Sequence, residues 1–142
     1  MAEGLTGIDQ IRECFGLKDQ DLRTYSPLTL AFLGDAVYEQ IIRAYLVAKG
    51  NCPVNRLHHM AISYVSAGAQ ARLVDRIGPL LTEEEQDIYR RGKNAGVNNG
   101  AKHATLADYR SATGWEALIG YLYLKGQSDR IMTLVAEGIE GK

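Results

Sequence analysis

The chain has 142 residues, 46% hydrophobic and 23% charged, with a net charge of −1. That balance fits one globular domain burying roughly two thirds of its unfolded surface, and it excludes a disordered tail. Near-zero net charge gives no general attraction to nucleic acid, so any such contact has to come from a local basic patch.

The opening stretch MAEGLTGIDQ has neither a basic n-region nor an apolar h-region, and the apolar runs that follow are short. The expectation is a cytoplasmic protein with no membrane partner. Cys14 and Cys52 are isolated, without metal-ligand spacing, and read as reduced thiols that carry no chemistry. Ser26-Pro27 is a helix-start signal and Gly50 a stop, and between them Leu30, Leu33, Val37, Ile41 and Leu46 recur at near-helical spacing. A second helical pattern runs from about Leu57 to Ile77, where Gly78-Pro79 ends it. Thr82 to Glu85 has the spacing of a capping box, and Arg90, Arg91 and Gly92 are expected to close that short helix.

From Gly92 to Ala104 the sequence GKNAGVNNGAKHA has no apolar period, which predicts a long loop. Thr105 is placed to cap a helix running through Trp115, Leu118, Tyr121 and Leu122 to Gly126, and Ser128 starts a last helix. All these elements are helical, so the expected class is all-α. His58-His59 reads as a surface pair, because adjacent helical residues point apart and no third ligand is spaced with them.

Two acids break the apolar patterns: Asp35 in LAFLGDAVYE and Glu116 in GWEALIGYLYL. A buried, unpaired carboxylate is costly, so each must face solvent, pair with a cation or bind a metal ion. Periodicity does not choose among these. If the two helices cross, Asp35 and Glu116 could offer oxygen ligands to one Mg²⁺, a hard cation that takes few carboxylates and keeps waters for substrate phosphates. Such a site suits phosphodiester hydrolysis. Glu39, one turn after Asp35, either joins that site from further out or pairs with Arg43.

The segments AFLGDA (31–36) and TGWEAL (113–118) resemble the ribonuclease III family, whose signature reads Glu-x-x-Glu-Phe-Leu-Gly-Asp-Ala and whose later helix carries Asp-x-x-Glu-Ala. YVSAGAQARL (64–73), TEEEQDIYRRGKNA (82–95) and YRSATGWEALIGYLYL (109–124) extend the resemblance along nearly the whole chain to the short bacterial Mini-III subfamily. Where larger members carry further acids this chain has Leu28, Ala31 and Thr113, so Asp35 and Glu116 are what remains of the carboxylate cluster. The expectation is weaker metal binding in the free protein and more reliance on RNA phosphates to complete the coordination.

The resemblance implies a ribonuclease III-like helical endonuclease domain over residues 1–142, without a double-stranded-RNA-binding domain, acting as a homodimer. It implies a metal-dependent endoribonuclease in which Asp35 and Glu116 are catalytic and hold Mg²⁺, or Mn²⁺ in its place. The implied substrate is double-stranded RNA, above all the stem of precursor large-subunit (23S) ribosomal RNA, with ribosomal proteins as further partners. Affinity then has to come from the catalytic domain itself. Between Arg90 and Arg110 lie Arg90, Arg91, Lys93, Lys102 and Arg110 against one acid, Asp108. These charges suit phosphates, Asn94, Asn98 and Asn99 suit 2′-hydroxyls or base edges in the shallow minor groove, and His103 suits phosphate. Ser66 and Gln70 are weaker minor-groove candidates. Phe32, Ala36 and the run Ser111 to Gly114 offer surfaces for close packing, the first of them toward a partner chain. The alternative, from another class, is a non-catalytic RNA-binding or ribosome-associated protein that keeps the fold after losing acids. A small helical phosphohydrolase ranks below both, since its usual His-Asp metal dipeptide is missing.

Overall fold

In a computed structural model, residues 7–95 and 105–140 are described, and all their regular structure is helical. The α-helices are α1 (Ile8–Phe15), α2 (Pro27–Ala48), α3 (Val54–Val65), α4 (Ala67–Ile77), α5 (Glu83–Ala95), α6 (Leu106–Leu124) and α7 (Ser128–Glu140), with 3-10 turns at Leu22–Thr24 and Gly78–Leu80. No helix among the described residues is long and apolar enough to cross a membrane.

The caps follow the sequence signals. Ser26 Oγ accepts from the Thr29 amide at 3.1 Å, with Pro27 in the first turn, and Thr105 Oγ1 accepts from the Asp108 amide at 3.0 Å. Thr82 and Glu85 form a reciprocal capping box, each backbone N–H donating to the other's side chain at 2.9 and 3.1 Å. Each cap satisfies an amide that has no partner inside the helix.

Three expectations need correction. The span from Leu57 to Ile77 is two helices, because Ser66 adopts an extended backbone (ψ 157°) and caps α4 through the Ala69 amide at 3.2 Å. The apolar period runs on through this break, which hides it. Gly92 does not end α5; it lies inside the helix, buried against α6, where an added Cβ would stand 2.7 Å from the Ala117 Cβ. The first residues of the expected loop, up to Ala95, are therefore helical, and residues 96–104, with Lys102, His103, Asn98 and Asn99, lie outside the described residues. In addition, α1 is not anticipated, since eight residues carry too few apolar positions to set a period.

The core centres on α6, which packs most extensively against α2 and then against α5 and α4. Trp115 is fully buried edge-on to Tyr38, with ring centroids 5.7 Å apart, among Ile42, Leu73, Leu118, Ile119 and Leu122. Two glycines set the distance between α2 and α6. A Cβ on Gly34 would stand 1.7 Å from the Glu116 carbonyl oxygen, and one on Gly120 would stand 2.0 Å from that of Leu30. Backbone lies against backbone at this crossing, so neither position has room for a side chain. The run Ser111 to Gly114 also lies at a close approach, but within the chain: a Cβ on Gly114 would meet the Tyr89 carbonyl oxygen at 2.7 Å.

Candidate active site

The crossing of α2 and α6 decides where the two singled-out acids go. Gly34 precedes Asp35, and its contact on α6 is the backbone of Glu116 itself, so the two carboxylates come side by side within hydrogen-bond reach. They share an open cleft of about 520 Å³ lined by residues of α2 and α6, with Tyr109, Thr113 and Glu116 on one wall and Leu28, Ala31, Phe32, Asp35 and Glu39 on the other. Leu28, Ala31 and Thr113, where larger ribonucleases III carry acids, all face this same space.

The electrostatics are those of an unneutralised pair. Burial, followed by the charge of Asp35, pushes Glu116 up to about 8. Asp35 is also raised, by desolvation first and then by Glu39, while its hydrogen bond with Glu116 acts in the opposite sense. Glu39 is bound to Arg43 at 3.1 Å and still adds negative potential to both acids. Among the described residues no lysine or arginine forms an ion pair with Asp35 or Glu116.

These donors fit a divalent cation. Two adjoining carboxylates that repel each other and open onto solvent are hard oxygen ligands, and a bound cation would favour the ionised form of both. Among the described residues no group of three or more His, Cys, Asp or Glu is arranged to hold a metal, so a metal held at this cleft would have these two carboxylates as its acidic ligands. An ion held here would keep positions open for water and substrate oxygens, the arrangement suited to hydrolysis.

The cationic candidates lie elsewhere. Arg90, Arg91, Lys93 and Asn94 are exposed on the C-terminal half of α5, not in a loop, and Arg90 is occupied by Asp87 one turn earlier. Arg110 is half-buried on α6, with its Nε enclosed and unpartnered among the described residues. None of these side chains lines the carboxylate cleft. Ser66 is spent on capping α4. Gln70 is only 3% exposed, so it cannot reach a groove; instead its Nε2 donates to Glu116 Oε2 at 3.3 Å. Sequence reasoning missed this contact and missed Tyr109, which lies four residues before Thr113 and seven before Glu116, a helical spacing that could have placed it on the same face.

Phe32 and Ala36 are exposed, Phe32 at 83% and Leu28 at 43%, so this side of α2 is not part of the chain's own core. His58 and His59 are exposed on α3, and Cys14 and Cys52 are free thiols.

The chain is similar to known proteins in sequence and in fold. The model of the Ribonuclease III domain family matches residues 28–127, a span that contains both acids. Mini-ribonuclease 3 of Symbiobacterium thermophilum is 51% identical over 108 residues, covering 76% of this chain and 83% of that protein. Mini-ribonuclease 3 of Brevibacillus brevis is 47% identical over 126 residues, covering 87% and 94%. A crystal structure of a protein from Fusobacterium nucleatum superimposes with a TM-score of 0.77 at 34% identity, covering 86% of this chain and 98% of that one.

Proposed function

Because the chain belongs to the ribonuclease III family, alongside the Mini-ribonuclease 3 proteins, it is an endoribonuclease of that type, and we propose that it cuts double-stranded RNA with a divalent metal ion held by Asp35 and Glu116. The observation that carries the metal reading is the pair itself: two carboxylates brought together by a glycine crossing, raised by burial and then by neighbouring acids, and open to solvent. Mg²⁺, or Mn²⁺ in its place, supplies water activation and stabilisation of charge developing on phosphorus when bound. Asp35 and Glu116 orient it, and no side-chain nucleophile is required. Leu28, Ala31 and Thr113 add no further carboxylate to the cleft, so an ion held by Asp35 and Glu116 would depend on oxygens from water and substrate.

Duplex RNA is held by the charges on and after α5. Arg91 and Lys93 are free to meet phosphates, Asn94 can reach sugar hydroxyls, and Arg90, Lys102 and Arg110 complete the set. Since none of Arg90, Arg91, Lys93, Asn94 and Arg110 lines the cleft, positioning along the duplex and cutting belong to different parts of the surface. The exposed Phe32 and Leu28 beside the cleft support a homodimer in which this side of α2 is covered by a second copy and two clefts address the two strands. The substrate we assign is a structured precursor, the stem bracketing precursor 23S ribosomal RNA, with ribosomal proteins as accessory partners in the cytoplasm.

A second reading rests on Leu28, Ala31 and Thr113: a chain that kept the fold and lost acids would bind RNA without cutting it. An end-labelled RNA duplex and its matching single strand, each incubated with Mg²⁺ or EDTA, separate the two. Endonuclease action predicts cuts in the duplex alone and only with Mg²⁺. A duplex that is bound and stays intact puts the non-catalytic reading first.

A further inference from the structure

Gln70 is a polar side chain that the reading above does not use. It lies 3% exposed on α4, one of three buried polar side chains among the described residues, with Glu85 and Thr113. A buried amide must find partners or destabilise the fold, so its bonds show what it is for.

The break between α3 and α4 supplies the first partner. Ser66 leaves helical geometry, and the Ala69 amide turns to the Ser66 hydroxyl at 3.2 Å, so the Val65 carbonyl is left without a helical partner from Ala69. Gln70 Nε2 donates to that carbonyl at 2.9 Å. Its other N–H is directed at Glu116 Oε2, 3.3 Å away. Both contacts are to oxygens that accept, which fixes the orientation of the amide: the nitrogen faces Val65 and Glu116, and the carbonyl faces the other way. That carbonyl oxygen, Oε1, is buried with no hydrogen-bond partner among the described residues.

We propose that Gln70 is a positioning residue for the metal site: anchored on Val65 by the helix break at Ser66, it locks the Glu116 carboxylate through Oε2 and leaves the other oxygen turned to Asp35 and the cleft. This rests on the reading of Asp35 and Glu116 as metal ligands. With one carboxylate oxygen tied down, Glu116 presents its second oxygen in one rotamer, which matters most where the protein supplies only two ligands. The α3–α4 break, which looks like a packing defect, is then what aims the amide. Hydrogen bonds of this kind behind a ligand typically contribute 10- to 100-fold in metal affinity or activity.

The test uses the full chain with Gln70→Met, which keeps the length and removes the amide, and Gln70→Asn, which keeps an amide too short to span Val65 and Glu116. Three quantities are read: Mn²⁺ binding to the free protein by electron paramagnetic resonance, the Mg²⁺ concentration for half-maximal single-turnover duplex cleavage, and duplex affinity in EDTA by fluorescence anisotropy. A thermal melt on each variant shows that it is folded. The expected result is weaker Mn²⁺ binding and a rise of about 10-fold or more in the Mg²⁺ requirement for both variants, with duplex affinity within twofold of wild type. An unchanged metal response in either folded variant overturns the proposal, as does a loss of duplex affinity with the metal response intact, which would make Gln70 an RNA contact. Wild-type protein that neither binds Mn²⁺ nor cleaves would overturn the underlying reading of Asp35 and Glu116 instead, and this proposal with it.

Discussion

Glu85 and Glu116 sit on neighbouring helices and meet the same physical problem, a carboxylate removed from water, with opposite outcomes. Glu85, whose side chain is 6% exposed, receives two hydrogen bonds of 2.8 Å from Arg130 and one from the Thr82 amide, and these hold its carboxyl below the usual carboxylate range. Glu116 has Gln70 as a donor but faces Asp35, and burial with that like charge takes it up to about 8. The first acid is neutralised inside the chain and serves the fold. The second has no cation paired with it among the described residues, which is the basis for proposing that one comes from outside.

If the comparison is right, the largest effect belongs to Asp35→Asn. It should cut single-turnover cleavage on the order of a thousandfold or more, because several kcal/mol of transition-state stabilisation depend on the held ion, while duplex affinity and melting temperature stay close to wild type. Near-normal cutting at saturating Mg²⁺ would remove Asp35 from the chemistry. Next comes Gly34→Ala, which puts a methyl into backbone and forces α2 off α6. We expect a loss of about 3 kcal/mol in urea unfolding, together with weaker metal response as the acids separate.

Arg130→Met tests the other member of the pair. It strands Glu85 without its cation and should cost about 2 kcal/mol, less than a fully buried pair because Arg130 is 29% exposed, with the cleavage rate of the folded fraction unchanged. A smaller effect is the pH dependence of the metal-free melt. Glu116 binds its proton more tightly folded than unfolded, so its contribution is complete below about 4.5 and is lost as the pH rises toward about 8. Glu85 has the opposite sign, since its lowered value makes stability fall as the medium is acidified. Glu116→Gln should therefore flatten the alkaline limb, by roughly 4 °C per kcal/mol recovered, and leave the acid limb alone. An unchanged alkaline limb would show that Glu116 is not strained. The smallest effect is expected at the far end of α5: Arg91→Ala with Lys93→Ala should lower the slope of log affinity against log salt by up to about 2, with the rate at saturating duplex intact. An unaltered slope would clear these two side chains of phosphate contact.

Much of this was readable in the sequence because it is local. The hydroxyl caps at Ser26, Thr82 and Thr105 act within one turn, and an acid set among apolar residues announces a cost wherever it lands. What escaped depends on partners distant in the chain. Gly92 has the composition of a helix end, yet α6 packs so close that a glycine is what fits inside α5. The break at Ser66 leaves the apolar period undisturbed, so only the capping bond reveals it. Gln70 reads as a surface polar residue until α6 is laid across it, and the separation of 46 positions from Glu116 carries no spacing signal.

Whether a divalent cation completes the Asp35–Glu116 pair is read from a Mg²⁺ titration of single-turnover duplex cleavage at pH 8 for the wild-type chain and Glu116→Gln. The wild type is expected to show a saturating rise and Glu116→Gln background cleavage at every Mg²⁺ concentration, with equal duplex affinity. Wild-type rates in Glu116→Gln, or wild-type cleavage that persists in EDTA, would contradict a cation held by the pair.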